Sequence, residues 1–291
     1  MSSGPSFLTP VRRARRSRLR ARRLRALVLA LAFIAVVTVL IIWLTGSSSP
    51  SAGYDVSSPQ CSGSYPSSPL FGIVGVNGGL ANNANPCLRD ELSWARNAPG
   101  QERGPTQPPL SLYVVTANPG AQHVADWPSG GTAPTYGACN GLLTNACSYL
   151  YGEQRAAYSY SLVAALDPAA ARTAPWWLDV ELGATWAGTY ELNIAALKGF
   201  IAGLHDAGAT GAIGIYSTSA QWKDITGLTA QTTRAAFGRR LPAWVAGAET
   251  ATRADAGQNC ARGGFTGLLP TLAQYRVGAF DADLRCTPPR L

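Results

Sequence analysis

The chain has 291 residues, with 24 basic and 16 acidic side chains and a formal charge of +8, a balance that taken whole suggests nucleic-acid binding. Nine arginines lie within residues 1–25 with no acid among them, which leaves 15 basic against 16 acidic residues in the remainder. The body of the protein therefore has no electrostatic footprint for nucleic acid, and that class of function is excluded.

The basic tail, residues 1–25, runs directly into Ala26–Leu44, 19 residues with no charge and Thr38 as the one polar side chain. As a helix this run spans roughly 28 Å, enough for a bilayer core. No basic residue occurs from Thr45 to Leu88, so the arginine block is expected on the cytoplasmic side and the body outside the cytoplasm. A transmembrane signal anchor in the plasma membrane is expected over a cleaved signal peptide. The sequence Thr45-Gly46-Ser47-Ser48-Ser49 supplies no small-residue cleavage site of the usual form, and cleavage would make the protein secreted. Residues 45–52 read as a flexible linker and 53–291 as one folded body.

All six cysteines, Cys61, Cys87, Cys139, Cys147, Cys260 and Cys286, follow the apolar run. An even number in an oxidising compartment reads as disulfides, and nearness in sequence suggests Cys61–Cys87, Cys139–Cys147 and Cys260–Cys286. No C-x-x-C occurs and His123 and His205 are the only histidines, so no metal site is expected, and no cofactor motif is found.

Along the body, Gly53–Ser57 reads as a short strand carrying Asp55, and Phe71–Val76 as a buried strand turning at Asn77-Gly78-Gly79. That turn lacks the Lys and Ser/Thr of a phosphate loop. A helix opens at Asn85-Pro86 with Leu88, Leu92 and Ala95 on its inner face. Leu110–Thr116 is a strand, followed by a long loop to about Cys147 that holds Trp127 and Tyr136, and loops of that length are usually functional. Ser148–Leu166 reads as a helix with Leu150, Ala157 and Leu162 as core contacts.

Pro175–Gly183 reads as a buried strand ending in Asp179 and Glu181, which alternation puts on one face with Val180 on the other. Carboxylates so paired, on a strand too apolar to be solvated, suit glycoside hydrolysis, in which one protonates the leaving oxygen and the other stabilises positive charge. Glu191–Ala207 has helical spacing in Ile194, Leu197, Ile201 and Leu204, with His205 in its last turn as a structural residue. Strands at Ala212–Ser217, Leu241–Ala246, Leu272–Val277 and Ala279–Leu284 follow, with a short helix or turn at Gln221–Leu228. This alternation predicts an α/β fold, a modified (β/α) TIM-type barrel with its chemistry at the C-terminal strand ends.

The motifs resemble those of family-25 glycoside hydrolases, the lysozyme-type muramidases. Gly53-Tyr54-Asp55-Val56-Ser57, Leu178-Asp179-Val180-Glu181, Gly214-Ile215-Tyr216-Ser217, Trp244-Val245-Ala246 and Gln274-Tyr275 with Asp283-Leu284 follow the family's order across nearly the whole body. Asp55–Cys61, Gly75–Gly79 and Asn85–Leu88 are similar to secreted or anchored members from high-GC Gram-positive bacteria.

The resemblance implies cleavage of β-1,4 bonds between N-acetylmuramic acid and N-acetylglucosamine in peptidoglycan, so the expected partner is a cell-wall polysaccharide. It implies Glu181 as general acid, Asp179 as the residue orienting the substrate's acetamido group, and Asp55 and Asp283 completing the cleft. A general acid needs a raised pKa, and crowding four carboxylates in a partly apolar cleft supplies one. Asp281 shares a face with Asp283 by period two. Asp281, Tyr216, Trp177, Trp244, Gln274, Tyr275 and Asn77 are the expected substrate-binding residues, with Trp127, Trp186 and Trp222 as further stacking surfaces. The sequence departs from the family in the third strand, where Tyr113-Val114-Val115 lacks a histidine, and in the long Cys-clamped loop. That departure keeps open a non-catalytic glycan-binding module or a structural envelope protein on the same barrel.

Overall fold

The computed structural model describes residues 52–98, 108–120, 124–238 and 240–286. The basic tail, the apolar run 26–44, nearly all of the linker and His123 lie outside them. Among the described residues no helix is long and apolar enough to cross a membrane. The chain from Pro50 onward forms one compact unit.

Its centre is a closed barrel of β1 (Gly53–Val56), β2 (Gly72–Gly75), β3 (Leu110–Val115), β6 (Trp176–Asp179), β7 (Ile213–Ser217), β8 (Ala243–Val245), β9 (Leu272–Val277) and β10 (Phe280–Arg285). Neighbours from β1 through β9 are parallel. The last strand, β10, is antiparallel to both β9 and β1 and closes the ring. The expected (β/α) barrel is therefore present with one reversed strand. No regular α-helix follows β1, only a 3₁₀ turn at Ser58–Gln60.

Side-chain alternation sorts the strands into two layers. Val74, Leu112, Val114, Trp176, Leu178 and Ile215 belong to an outer core packed under the helices. Phe71, Ile73, Trp177, Trp244 and Leu272 fill the barrel interior, joined by Tyr113 and Tyr216. Glycine makes room for the larger rings: a Cβ on Gly214 would collide with the Trp177 ring, and one on Gly75 with the Tyr113 ring.

The outer helices are α1 (Leu88–Arg96), α2 (Asn145–Ala164), α3 (Pro168–Thr173), α4 (Tyr190–Asp206), α5 (Ser219–Thr226), α6 (Ala230–Phe237) and α7 (Arg253–Ala261). Leu88, Leu92 and Ala95 of α1 are buried as their spacing requires. In α2, Leu150 is buried and half-buried Leu162 packs against the outer core as expected, whereas Ala157 is exposed and its neighbour Ala156 makes the core contact. Asp167, which reads as a break, caps α3 by accepting from Ala170 N at 3.0 Å and forms an ion pair with Arg96. α6 and α7, with one buried side chain each, carry too weak an apolar stripe to be read from periodicity.

α2 and α4 meet backbone to backbone. A Cβ on Gly152 would overlap the Ala196 carbonyl, and one on Gly199 or Gly203 the carbonyls of Tyr149 or Glu153. The long loop before α2 is not structureless: it holds a small hairpin, β4 (Thr132–Ala133) with β5 (Gly137–Ala138), over Trp127 stacked on Tyr151. The disulfides are Cys61–Cys87, Cys139–Cys147 and Cys260–Cys286, the pairing that sequence proximity suggests. His205 is structural as expected, with Nδ1 3.2 Å from the Ala209 carbonyl.

Behind β2, Glu91 of α1 is 0% exposed. Its Oε2 accepts from Asn85 Nδ2 at 2.6 Å while Oε1 has no partner. Burial raises its pKa from 4.5 to about 7, with Asn85 opposing. The folded state therefore keeps a proton that the unfolded chain releases near 4.5, so stability falls as pH rises from there to about 7 and is level above. Glu91→Gln removes that loss, and is expected to stabilise the protein by up to about 3 kcal/mol at pH 8 with little effect near pH 4, read from urea denaturation at the two pH values.

Candidate active site

The C-terminal ends of the parallel strands gather the predicted acids. Asp55 points inward from β1, Asp179 is the last residue of β6, and Asp281 and Asp283 come from the inner face of β10. The strand ends at Asp179, so Glu181 sits just beyond it, yet alternation persists. Val180 is buried in the outer core, and its N–H donates to the Tyr216 carbonyl at 2.9 Å. The reversal of β10 sets the depth of its acids: Asp281 lies opposite Asp55 near the mouth, while Asp283 lies deeper, opposite Gly53 and Gln274.

The acids differ in environment. Asp281 pairs with Arg276 Nη1 at 2.6 Å, at the rim. Asp283 is 1% exposed and is pushed well above the usual carboxylate range by burial and then by Asp55, with the Trp244 indole opposing. Asp55 is raised to about 7 by burial first and the Asp281 charge second, with the hydrogen bond from Gln274 opposing. Burial and the neighbouring acids thus favour the protonated form of both Asp55 and Asp283. Asp179 is raised well above its usual range by burial, then Glu181, then Asp55. Its Oδ1 is buried without a hydrogen-bond partner.

Neutral side chains hold this cluster. Gln274 donates to Asp55 Oδ2 at 2.9 Å, and its Oε1 accepts from the Tyr216 hydroxyl at 2.9 Å and Gly247 N at 3.1 Å. The Tyr216 hydroxyl lies centrally: burial, then Glu181, Asp55, Asp179 and Asp283 in turn, raise its pKa well above the ordinary phenol value. Tyr113 is raised in the same way by burial and then by Asp55, with Ser57 opposing.

Of the expected substrate-binding residues, Tyr216, Gln274 and Asp281 are at this cluster. The others are not free to bind. Trp177 and Trp244 are buried in the barrel interior, 5.9 Å apart, and form the floor beneath the acids. Tyr275 alternates to the outside, where its hydroxyl accepts from Arg253 Nη1 at 3.3 Å. Asn77 is spent on β3, donating to the Val115 carbonyl and accepting from Val115 N, both at 2.9 Å. Trp127 and Trp222 are likewise buried, and half-buried Trp186 donates to the Glu181 carbonyl at 2.8 Å.

Sequence reading missed Gln221, whose Nε2 donates to Glu181 Oε1 at 2.9 Å. It stands in a Thr218-x-x-Gln221 pattern, which reads as a helix cap rather than a site residue. A groove beside Glu181, at the ends of β2, β3 and β6, is lined by Leu80, Asn82, Pro119, Tyr151, Gly183 and Thr185 among others. Among the described residues no group of three or more His, Cys, Asp or Glu is arranged to hold a metal ion.

Gln274 ties three strands and a loop at one amide. Gln274→Ala strips partners from the Tyr216 hydroxyl, Gly247 N and Asp55 at once and is expected to cost about 2–3 kcal/mol in urea denaturation. A loss near zero would mean the amide is not the keystone described.

Residues 146–253 match a family model described as lysozyme-like protein 1. No curated protein matches the sequence. Similar solved structures include a muramidase from Trichobolus zukalii, at 14% identity over 82% of this chain and 94% of that one with a TM-score of 0.47. A bacterial lysozyme from Streptomyces coelicolor shows 18% identity over 84% and 95%, with a TM-score of 0.46. The modular autolysin LytC from Streptococcus pneumoniae, solved with a synthetic peptidoglycan ligand, shows 10% identity over 80% and 46%, with a TM-score of 0.46. The matched residues include the D-x-E segment, so this part of the chain is similar to a lysozyme-like family.

Proposed function

We propose that this protein is a glycoside hydrolase that cleaves β-1,4 bonds between N-acetylmuramic acid and N-acetylglucosamine in cell-wall peptidoglycan, working outside the cytoplasm from a membrane anchor at residues 26–44. The observation that carries the reading is the gathering of Asp55, Asp179, Glu181 and Asp283 around the Tyr216 hydroxyl at one end of the barrel.

In this reading the Glu181 carboxyl, reached from the open side of the β6 loop, gives its proton to the glycosidic oxygen as the bond to the anomeric carbon breaks. The substrate's own acetamido oxygen closes on that carbon, so no protein nucleophile is required. Asp179 faces the acetamido N–H with its unpartnered Oδ1, and the positive charge that grows on the ring and acetamido group strengthens that contact in the transition state. The resulting Glu181 carboxylate then takes a proton from the water that opens the cyclic intermediate. Protonation of Asp55 and Asp283 limits the negative charge beneath the sugar, while Gln274, itself held by the Tyr216 hydroxyl, fixes the Asp55 carboxyl in place.

Incubation of the full chain with purified peptidoglycan is expected to release new reducing ends, and Glu181→Gln to lower the rate by about 10²–10⁴-fold. Equal release by both proteins would remove Glu181 as the acid, and binding without release by either would favour a glycan-binding module. The rate is also expected to fall as pH rises through about 7, where Asp55 loses its proton. A pH–rate profile that stays flat across neutrality would show that the Asp55 proton has no part in turnover.

A further inference from the structure

Glu181 lies beyond the end of β6, where no strand hydrogen bonds hold it, so something else must fix its carboxyl. The amide of Gln221 meets that need from the neighbouring β/α unit. Gln221 Oε1 accepts from Leu182 N at 2.6 Å while Nε2 donates to Glu181 Oε1 at 2.9 Å. A backbone N–H can only donate, so the Leu182 contact locks the amide oxygen toward the main chain. The NH₂ must then face Glu181.

The clamp itself is anchored. Thr218 Oγ1 accepts from Gln221 N at 3.1 Å, and the next residue, Trp222, is fully buried with Nε1 donating to Thr233 Oγ1 at 2.8 Å. Across the same two strand ends, Ser217 Oγ donates to the Val180 carbonyl at 2.7 Å. Both ends of the Gln221–Glu181 contact are thus referenced to the β6–β7 seam.

We infer that Gln221 is a positioning residue for Glu181: it holds Oε1 as a hydrogen-bond acceptor and leaves Oε2 as the oxygen that presents the proton to the leaving group. This rests on the reading of Glu181 as the acid. The charged or ionisable groups that face Glu181 are Asp179 from β6 and Tyr216 from β7, while α5 contributes the uncharged amide of Gln221. A substitution at 221 therefore changes the donor without changing the neighbouring acids.

The test compares the full-length wild type, Gln221→Glu and Gln221→Ala on purified peptidoglycan over a broad pH range, with Glu181→Gln as the blank. Gln221→Glu keeps the size and the acceptor for Leu182 N but turns an oxygen toward Glu181, so the two carboxyls compete for one proton. It is expected to lower kcat at neutral pH by about tenfold or more with KM within about twofold, and to add to the pH profile a further step from the new carboxyl pair, beside the fall set by Asp55. Gln221→Ala is expected to lower kcat comparably.

Variants that keep the wild-type kcat and the wild-type pH profile would overturn the inference. So would a loss that is uniform across pH and tracks a fall in Tm, because the amide would then be only a strut. Failure of both variants to fold counts the same way. A wild type that releases no reducing ends removes the glycosidase reading and this inference together. A wild type that turns over beside unaffected variants removes the inference alone.

Discussion

Five carboxyl groups (Asp55, Asp179, Glu181, Asp281 and Asp283) converge on one end of this barrel, and among the described residues Arg276 forms an ion pair with one of them, Asp281, at the rim. Charge that is not paired must either be hydrated or be removed by protonation, and the barrel interior offers little water. The result is a cleft organised by hydrogen bonds from uncharged groups. Two glutamine amides, one of them held by a tyrosine hydroxyl, bond to Glu181 and Asp55 where a cation would otherwise stand. Neutral donors order the carboxyls without binding them as salts, so the protons stay exchangeable. That condition suits acid catalysis and is the one on which the proposed chemistry depends.

The architecture supplies this arrangement through two departures from a regular barrel. Reversal of β10 lets a short hairpin place Asp281 at the mouth and Asp283 one layer down, on the same inner face. Filling the interior with Trp177 and Trp244 raises an apolar floor directly under the acids and keeps them near the open end. Gly214 opposite the Trp177 ring and Gly75 opposite Tyr113 are what allow such large side chains inside an eight-stranded ring. The groove at the ends of β2, β3 and β6 then continues the mouth sideways past Glu181.

Most barrel strands were legible in the sequence because they carry an apolar run, β1 and β10 being the exceptions, and the order of the parallel units followed from the helices between them. The D-x-E parity was legible too, since period two outlasts the hydrogen-bonded strand by two residues. The failures share a cause. Trp177, Trp244, Asn77 and Tyr275 sit beside functional positions in the chain, and sequence places a side chain near a strand end without saying whether a buried neighbour has already claimed it. Gln221 failed in the opposite sense: its role depends on a backbone N–H at position 182, a partner with no residue identity to read. The Ala157 error, one residue from the buried Ala156, arose because α2 is flanked by alanines on both faces and its stripe has no sharp edge.

The glycine seam between α2 and α4 has a consequence for the cleft. Helix α2 leads, through α3, into the strand that ends at Asp179, and α4 receives the chain after the loop that carries Glu181. Where two helices touch through side chains, each substitution or rotamer change can alter their separation. Here peptide groups rest against peptide groups, and the separation is fixed by main-chain dimensions. Repacking elsewhere in the outer core therefore shifts the pair as a block, and the span bridged by the D-x-E loop stays constant. The gauge that sets the distance across this loop is the absence of side chains some way behind it.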